Sequence, residues 1–555
     1  MIEPVQEVEQ PEVGEPEARE PRTPTRRSTR GRLLPVGAML LVTAVFFSLT
    51  LAVSLNQLWN ADTSNITLQG WDLIHGQVLL HGWWSTDVNF YTLDLPIYAL
   101  SVLTFGLTDA AAHVAGSVVY TLIFLSACWL AKGRTRGGAF WLRVALVALF
   151  MTAVMFNGND FGEFVMVPDH DGTICFFLVA FVLHDRFAGR RWTPWVMLAV
   201  LTLGQIGDVS TRYILVSSLL LVWVAELLRT RRLPTRRPRT PETWLALAAV
   251  GSVVLSYALR KAMIAMGSYY LAKARSGIAP LSQWHWHFTG MWESLFYLFG
   301  VDTSGYPGGT PGDAAARAVM IGLGAVALVC GALSMLATLI RWTKVDVADR
   351  LLFVAILVYL GAYEFSTVPQ PGRGGGYEFG GVVAMSAVLS ARTIGSLRPL
   401  RMPALRVAGT ATAAVVAAAC LLSGTALFER PWYSPLQPLG AWLQDHHLTY
   451  GLAPYWSASP ITVYTGGRVS VRPIVLVRGG FKPRTWNARQ QWFEASNNDA
   501  NFVLTGYGAE AITAAQAERS FGKPAAVYQA DHYTILVYNY NLLTKEFAQV
   551  LPPGA

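Results

Sequence analysis

The sequence predicts an α-helical polytopic membrane protein of about 11 transmembrane helices with interfacial helices, followed by a small α/β extracytoplasmic C-terminal domain. Three observations carry this. Of the 555 residues, 53% are hydrophobic and 14% charged, with mean hydropathy +0.36, whereas soluble domains carry about 25% charged residues. The apolar residues fall in blocks such as 34–55 and 407–428, and a helix needs about 20 of them to cross a bilayer. Arginine and lysine gather in every second connection. Such a composition excludes an ordinary soluble enzyme, a disordered chain and a fibrous protein. The cysteines (Cys128, Cys175, Cys330, Cys420) lie in apolar runs, so no disulfide framework is expected.

Residues 1–33 form a tail rich in Glu, Pro and Arg that cannot bury a core and is expected to be disordered in the cytoplasm. The first apolar run is long for a signal peptide and lacks a clear small-residue cleavage site, so an uncleaved span is expected. Spans are expected near 34–55, 110–131, 138–156, 172–185, 193–207, 211–228, 242–262, 315–340, 351–367, 378–391 and 407–428. They make 34–428 the transmembrane domain, with a long outer loop, 56–109. With the N-terminus inside, the inner loops hold Lys132, Arg134 and Arg136, then Arg186, Arg190 and Arg191, then a run from Arg229 to Arg239. Arg341, Lys344 and Arg350 follow, then Arg392, Arg398, Arg401 and Arg406. Segments 56–94 and 157–171 hold no Lys or Arg. The net charge of +8 is therefore an orientation signal, and a nucleic-acid partner is not expected.

An odd number of spans places 429–555 outside as a soluble α/β domain. Ile461 to Thr465 and Val469 to Val477 read as strands around Gly466-Gly467. Asn501 to Thr505 and Tyr533 to Tyr538 read as further strands, and Glu510 to Ser520 as a helix.

Chemistry is expected at the outer boundary. In the first outer loop, Asp62 precedes a short amphipathic helix, and the apolar stretch 95–107 is too short to span. Both helices are expected to lie in the interface, with Trp83 and Trp84 as anchors. The loop 157–171 carries Asp160, Glu163, Asp169, His170 and Asp171 with no cation. Crowded carboxylates raise one another's pKa or recruit a cation, and Asp169, His170 and Asp171 offer ligands for a divalent ion such as magnesium or manganese. The plain alternative is a solvated acidic loop. Asp208 sits in a very short outer turn. Outer cations are few: Arg212, Lys261 beside Arg260, Lys273, Arg275 and Arg373. Arg373 lies in a glycine-rich loop whose backbone permits close approach while the guanidinium grips a phosphate. Trp284 heads an aromatic cluster that suits either a sugar face or an interface belt.

Together these features resemble the membrane glycosyltransferases of the GT-C superfamily, relatives of protein O-mannosyltransferases and lipid A aminoarabinose transferases. The matching features are a basic tail and one span, then Asp62, an amphipathic helix ending in Leu79-Leu80-His81-Gly82-Trp83, and Pro96-Ile97-Tyr98. A second acidic outer loop, Arg373 with Tyr377 before a late span, and an outer domain complete the pattern. Where that family has an acidic pair, this chain has Asp62 followed by Thr63, and its Lys-Pro-Pro segment is here Leu93-Asp94-Leu95-Pro96. The resemblance implies a polyprenyl-phosphate sugar donor and transfer with inversion to a cell-envelope glycan, lipid or protein acceptor, at a bacterial plasma membrane. It implies Asp62 as general base, with Asp160 or Asp169 positioning the acceptor or holding a metal. Arg373, with Lys261 and Arg212 behind it, would take the departing phosphate. His170, Asp171, Asp208, Tyr377 and Trp284 would line the acceptor or sugar side.

Two other classes compete. A transporter places its charges near the midplane, where Glu364 and Arg143 are the examples here. A non-enzymatic protein whose outer domain binds a cell-wall polymer would tolerate replacement of Asp62 and Arg373.

Overall fold

The computed structural model describes residues 30–55, 60–86, 88–136, 138–155, 170–230, 241–272, 277–301, 311–367, 380–397, 434–478, 480–506 and 510–546. By its contacts the chain divides into Met1–Val45 and Phe46–Ala555. In the first unit the described residues are the start of α1 (Arg30–Leu55), an apolar helix.

The second unit is mostly helical. Its longer helices are α4 (Asp109–Lys132), α5 (Gly138–Met155), α6 (Asp171–Phe187), α7 (Thr193–Gly207), α8 (Ser217–Thr230), α9 (Pro241–Ala265), α11 (Pro311–Ile340), α12 (Val347–Phe365) and α13 (Gly380–Ile394). Two shorter helices precede them, α2 (Ala61–Ile74) and α3 (Asp94–Phe105), and α10 (Leu281–Leu298) lies between α9 and α11. A π-helical turn, Thr211–Val216, leads into α8. Among the described residues, five segments are long and apolar enough to cross a membrane: Val36–Leu55, Asp109–Lys132, Thr211–Arg229, Pro241–Ala265 and Ile321–Ile340. Every expected span except 407–428 coincides with a helix; that one, like the tail 1–29, lies outside the described residues.

Helix α13 is buried from Gly380 to Arg392, packed against α5, α11, α4 and α12. A helix apolar all round belongs at the centre of a bundle. At its end Arg392 donates to the Leu130 carbonyl at 2.9 Å, to Asp346 at 3.1 Å and to Asp349. Arg143 donates to the Ala131 carbonyl at 2.8 Å and Arg186 to that of Gly133 at 2.8 Å. These arginines cap the carbonyls that the last turn of α4 leaves without helical partners. Arg143, a charge inside an expected span, is thus a helix cap. The ends predicted to be inner meet at one place.

The C-terminal residues form α14 (Leu436–Asp445), β3 (Tyr450–Ala453), α15 (Tyr455–Tyr464), β4 (Ser470–Val477), β5 (Gly480–Pro483), β6 (Ala488–Arg489), β7 (Phe502–Thr505), α16 (Ala514–Phe521), β8 (Ala526–Ala530), β9 (Tyr533–Val537) and α17 (Leu543–Glu546). The main sheet has the order β5-β4-β3-β7-β9-β8. Its centre, β4-β3-β7, is parallel, and the outer pairings are antiparallel. One expectation is overturned: Ile461 to Tyr464 belong to a helix, not a strand. That helix is buried at every residue from Tyr455 to Val463 except Trp456, so it shows no helical period in its apolar residues. The expected helix at 510–520 is the shorter α16, opened by a capping box between Thr513 and Gln516.

A second sheet joins three remote segments. Strand β1 (Trp83–Ser85) pairs in parallel with β2 (Tyr270–Leu271) and antiparallel with β6, Trp83 facing Arg489. This corrects the reading of Trp83 and Trp84 as interfacial anchors. Both are fully buried, with Trp83 edge-on to Trp492 at 5.0 Å and Trp84 beside Phe493. Asp72 accepts the Trp83 indole N–H at 2.8 Å and an Arg489 N–H at 2.9 Å. The expected amphipathic helix exists as α2, but Thr63 to Gly70 are enclosed rather than resting with one face open. At Gly70 an added Cβ would lie 3.0 Å from the Ala99 nitrogen, so glycine lets α2 and α3 touch.

Candidate active site

Asn60 caps α2, its side-chain oxygen accepting the Thr63 N–H at 3.0 Å. Asp62 therefore sits in the first turn, where the helix dipole favours a carboxylate. The tyrosine hydroxyl of Tyr455, the first residue of α15, donates to Asp62 Oδ1. Its geometry is set from behind: Asn65 Nδ2 donates to the same hydroxyl at 3.1 Å, and Ser459 Oγ donates to Asn65 Oδ1 at 2.6 Å. Asn487 hydrogen-bonds to both Asp62 and Tyr455. The Arg484 guanidinium lies 5.4 Å from the centre of the Tyr455 ring and pairs with Glu510 at 3.0 Å. Burial raises the Asp62 pKa above the ordinary carboxylate value, against the opposing pull of Tyr455, Asn487 and Arg484. Burial and the neighbouring Asp62 raise the Tyr455 phenol well above its usual value, so it remains a donor.

A second group forms where α3, α6 and α7 converge. Asp94, buried at the start of α3, accepts the Gly172 N–H at 3.1 Å. A Cβ on Gly172 would fall 2.2 Å from Asp94 Oδ2. Burial pushes the Asp94 carboxyl up to about 7, and the Gly172 N–H opposes this. His170 precedes α6 in the left-handed region, φ 65°, and its Nδ1 lies 2.6 Å from Asp208 Oδ2. Asp208 also accepts from Thr173 Oγ1 at 2.5 Å, from Ser210 Oγ at 2.6 Å and from the Ser210 N–H at 2.7 Å. Burial raises its carboxyl, but His170 and these hydroxyls outweigh that and hold it below the usual range. Asp171 is buried in the first turn of α6.

The predicted residues thus divide. His170 and Asp208 are in direct contact with Asp171 adjoining, and Asp62 is held by the C-terminal domain. Arg212 lies in the π-helical turn just after Ser210, its Nε donating to Gln205 at 3.2 Å; such turns recur at functional sites. Lys261 is exposed, 4.8 Å from the Tyr257 ring centre. Trp284 is half-buried, donating to the Ala279 carbonyl at 3.2 Å and set edge-on to Phe365, so it serves packing. Asp160, Asp169, Lys273, Arg275, Arg373 and Tyr377 lie outside the described residues. Among the described residues no three His, Cys, Asp or Glu side chains converge as metal ligands would, and His170 Nδ1 is engaged by Asp208.

Sequence reasoning missed Tyr455, Asn487, Arg484 and the role of Asp94. Arg260, named there only as the neighbour of Lys261, has its guanidinium 4.0 Å from the Tyr269 ring centre and donates to the Tyr269 carbonyl at 2.8 Å and to Ser268 Oγ at 3.3 Å. Tyr269 in turn donates to Asn89 at 3.0 Å.

No family model matches the chain, and no curated protein matches it. Solved structures do. One is ArnT, an aminoarabinose transferase, from Cupriavidus metallidurans, bound to undecaprenyl phosphate. It shares 11% identity and a TM-score of 0.50, over 92% of this chain and 98% of that one. The apo oligosaccharyltransferase of Archaeoglobus fulgidus matches at 12% identity and TM-score 0.39, over 84% of this chain and 69% of that one. The same enzyme with zinc and sulfate matches at 13% and 0.45, over 84% and 68%. The likeness to ArnT runs the length of both chains and is a likeness of fold.

Proposed function

We propose that this protein is a membrane glycosyltransferase. It moves a sugar from a polyprenyl-phosphate donor to an acceptor hydroxyl on the outer face of a bacterial plasma membrane, with inversion and with Asp62 as general base. The observation that carries the reading is the Asp62 carboxylate, in the first turn of the helix after the first span, with Tyr455, Asn487 and Arg484 gathered on it. The shared fold with ArnT, whose structure holds undecaprenyl phosphate, supports the donor class. Eleven spans with the N-terminal tail, 1–33, inside and the domain 429–555 outside agree with two facts of packing. Segments predicted to be outer pair with one another in β2-β1-β6, and helix ends predicted to be inner meet at Arg392.

Asp62 takes the proton of the acceptor hydroxyl as its oxygen bonds to the anomeric carbon. The bond from that carbon to the donor phosphate oxygen breaks, and its electron pair leaves with the phosphate, which cations stabilise. Arg373 is assigned that role, with Lys261 and Arg212 behind it and Arg260 added by its position beside Lys261. Asp160 and Asp169 are assigned to the acceptor.

Asp62→Asn should lower transfer about a hundred- to ten-thousand-fold, the usual size of a general-base contribution, while expression and membrane insertion stay normal. Radiolabelled sugar transferred from the polyprenyl-phosphate-sugar lipids of native membranes to endogenous acceptors is the readout. Undiminished transfer by the variant would remove Asp62 from the mechanism.

A further inference from the structure

We propose that the C-terminal domain completes the Asp62 site, with Tyr455 as the positioning residue that orients the carboxylate and Arg484 supporting it. The role rests on the reading of Asp62 as base; the contact itself does not.

The argument starts from what a base requires. A carboxylate enclosed by protein tends to keep its proton, and a protonated Asp62 accepts nothing. The groups that oppose this all come from the C-terminal domain: the Tyr455 hydroxyl, Asn487 and Arg484. The other helices packed on α2 turn their titratable side chains elsewhere. In α3, Tyr98 faces Asp94 and Asp171. In α4, His113 binds Ser54 at 2.9 Å and Asp109 faces Tyr464. No cation of the membrane helices substitutes among the described residues that act on Asp62.

The direction of the phenol proton is fixed as well. Tyr455 Oη receives the Asn65 N–H, so its own hydrogen is left for Asp62. Fixing one oxygen of the carboxylate orients the other, and Asp62 retains partial exposure through which an acceptor hydroxyl can reach it. Docking has its own means in the β1–β6 pairing, the Asp72–Arg489 pair and the Trp83–Trp492 contact. The polar network from Ser459 through Asn65 to Tyr455 ends on Asp62.

The test uses the full chain in nanodiscs. The stretching band of the protonated Asp62 carboxyl is identified in infrared spectra by its loss in Asp62→Asn, then titrated. Tyr455→Phe should move the midpoint upward by about one pH unit, the size expected for one hydrogen bond to a charged group. Arg484→Gln should move it the same way by less. An unmoved midpoint in Tyr455→Phe overturns the inference. If that variant fails to insert, Arg484→Gln decides, since the Arg484 side chain is 29% exposed; no upward shift there also overturns it. The transfer assay separates the two levels. Active Asp62→Asn together with a shifted midpoint removes the base and leaves the contact. Inactive Asp62→Asn with no shift in Tyr455→Phe removes the present inference and leaves the base. With both readings correct, the acid limb of transfer moves upward in step with the infrared midpoint.

Discussion

Replacing Asp72 by Asn tests how the C-terminal domain is held. One oxygen of Asp72 accepts both the Trp83 indole N–H at 2.8 Å and an Arg489 N–H at 2.9 Å. The Asp72 and Arg489 side chains are 17% and 21% exposed, sheltered enough for the pair to escape most solvent screening. Trp83 and Arg489 are also register partners across β1 and β6, and Gln490 donates to the Gly82 carbonyl at 2.8 Å beside them. An asparagine can place its carbonyl oxygen where that Asp72 oxygen lies and still accept both donors, but it loses the charge. A hydrogen bond to a charged group contributes about 1.5–3 kcal/mol, so the seam should weaken by about 1–3 kcal/mol. At tenfold per 1.4 kcal/mol, its amides should exchange about 5 to 100 times faster. Hydrogen–deuterium exchange on peptides covering 83–85 and 488–490 reads this directly, with 502–505 and 533–537 in the main sheet as reference. Unchanged exchange at the seam would refute the reasoning. So would equal acceleration in the main sheet, because the effect would then be global.

Gly172→Ala places a methyl 2.2 Å from Asp94 Oδ2, and overpacking of this kind costs about 1–3 kcal/mol. The thermal inactivation midpoint in detergent should fall, and Gly172→Ala combined with Asp94→Ala should recover part of the loss; no recovery sinks the steric account. Asp94→Asn tests a pH dependence. Because burial raises the Asp94 carboxyl from 3.8 to about 7, the folded state binds this proton more tightly than the unfolded state does. Its stabilising contribution is complete below about pH 4 and is lost as pH rises through about 7, by at most about 4 kcal/mol. Wild type should lose stability relative to Asp94→Asn between these values; a difference that stays constant from pH 4 to 8 contradicts it.

The long helices were legible from the length of their apolar runs. Helix α7 lies where hydropathy put it, at 193–207. Segment 461–464 was not legible. Its Ile-Thr-Val-Tyr run before Gly-Gly has the composition of a strand, yet β propensity reflects surroundings more than intrinsic preference. Here the surroundings are α2 on one side and β4 on the other. Trp83 and Trp84 look like interface residues because nothing near them in sequence announces Trp492 and Phe493. Asp62 stood out by its position after the first span. Tyr455, 393 residues away, gave no local sign, and its meaning comes only from the partner it meets.

The three-stranded sheet also imposes an order in time. Strand β1 leaves the ribosome early, but Arg489 follows Asp72 by 417 residues. At about 5–20 residues per second, β6 arrives about 20 to 80 s later. For that interval β1 has an open edge, with two tryptophans waiting for their neighbours. The site around Asp62 is equally incomplete until Tyr455 has been made. Completion of synthesis is thus the event that closes the face around Asp62, and a half-made chain holds that carboxylate without the tyrosine that orients it.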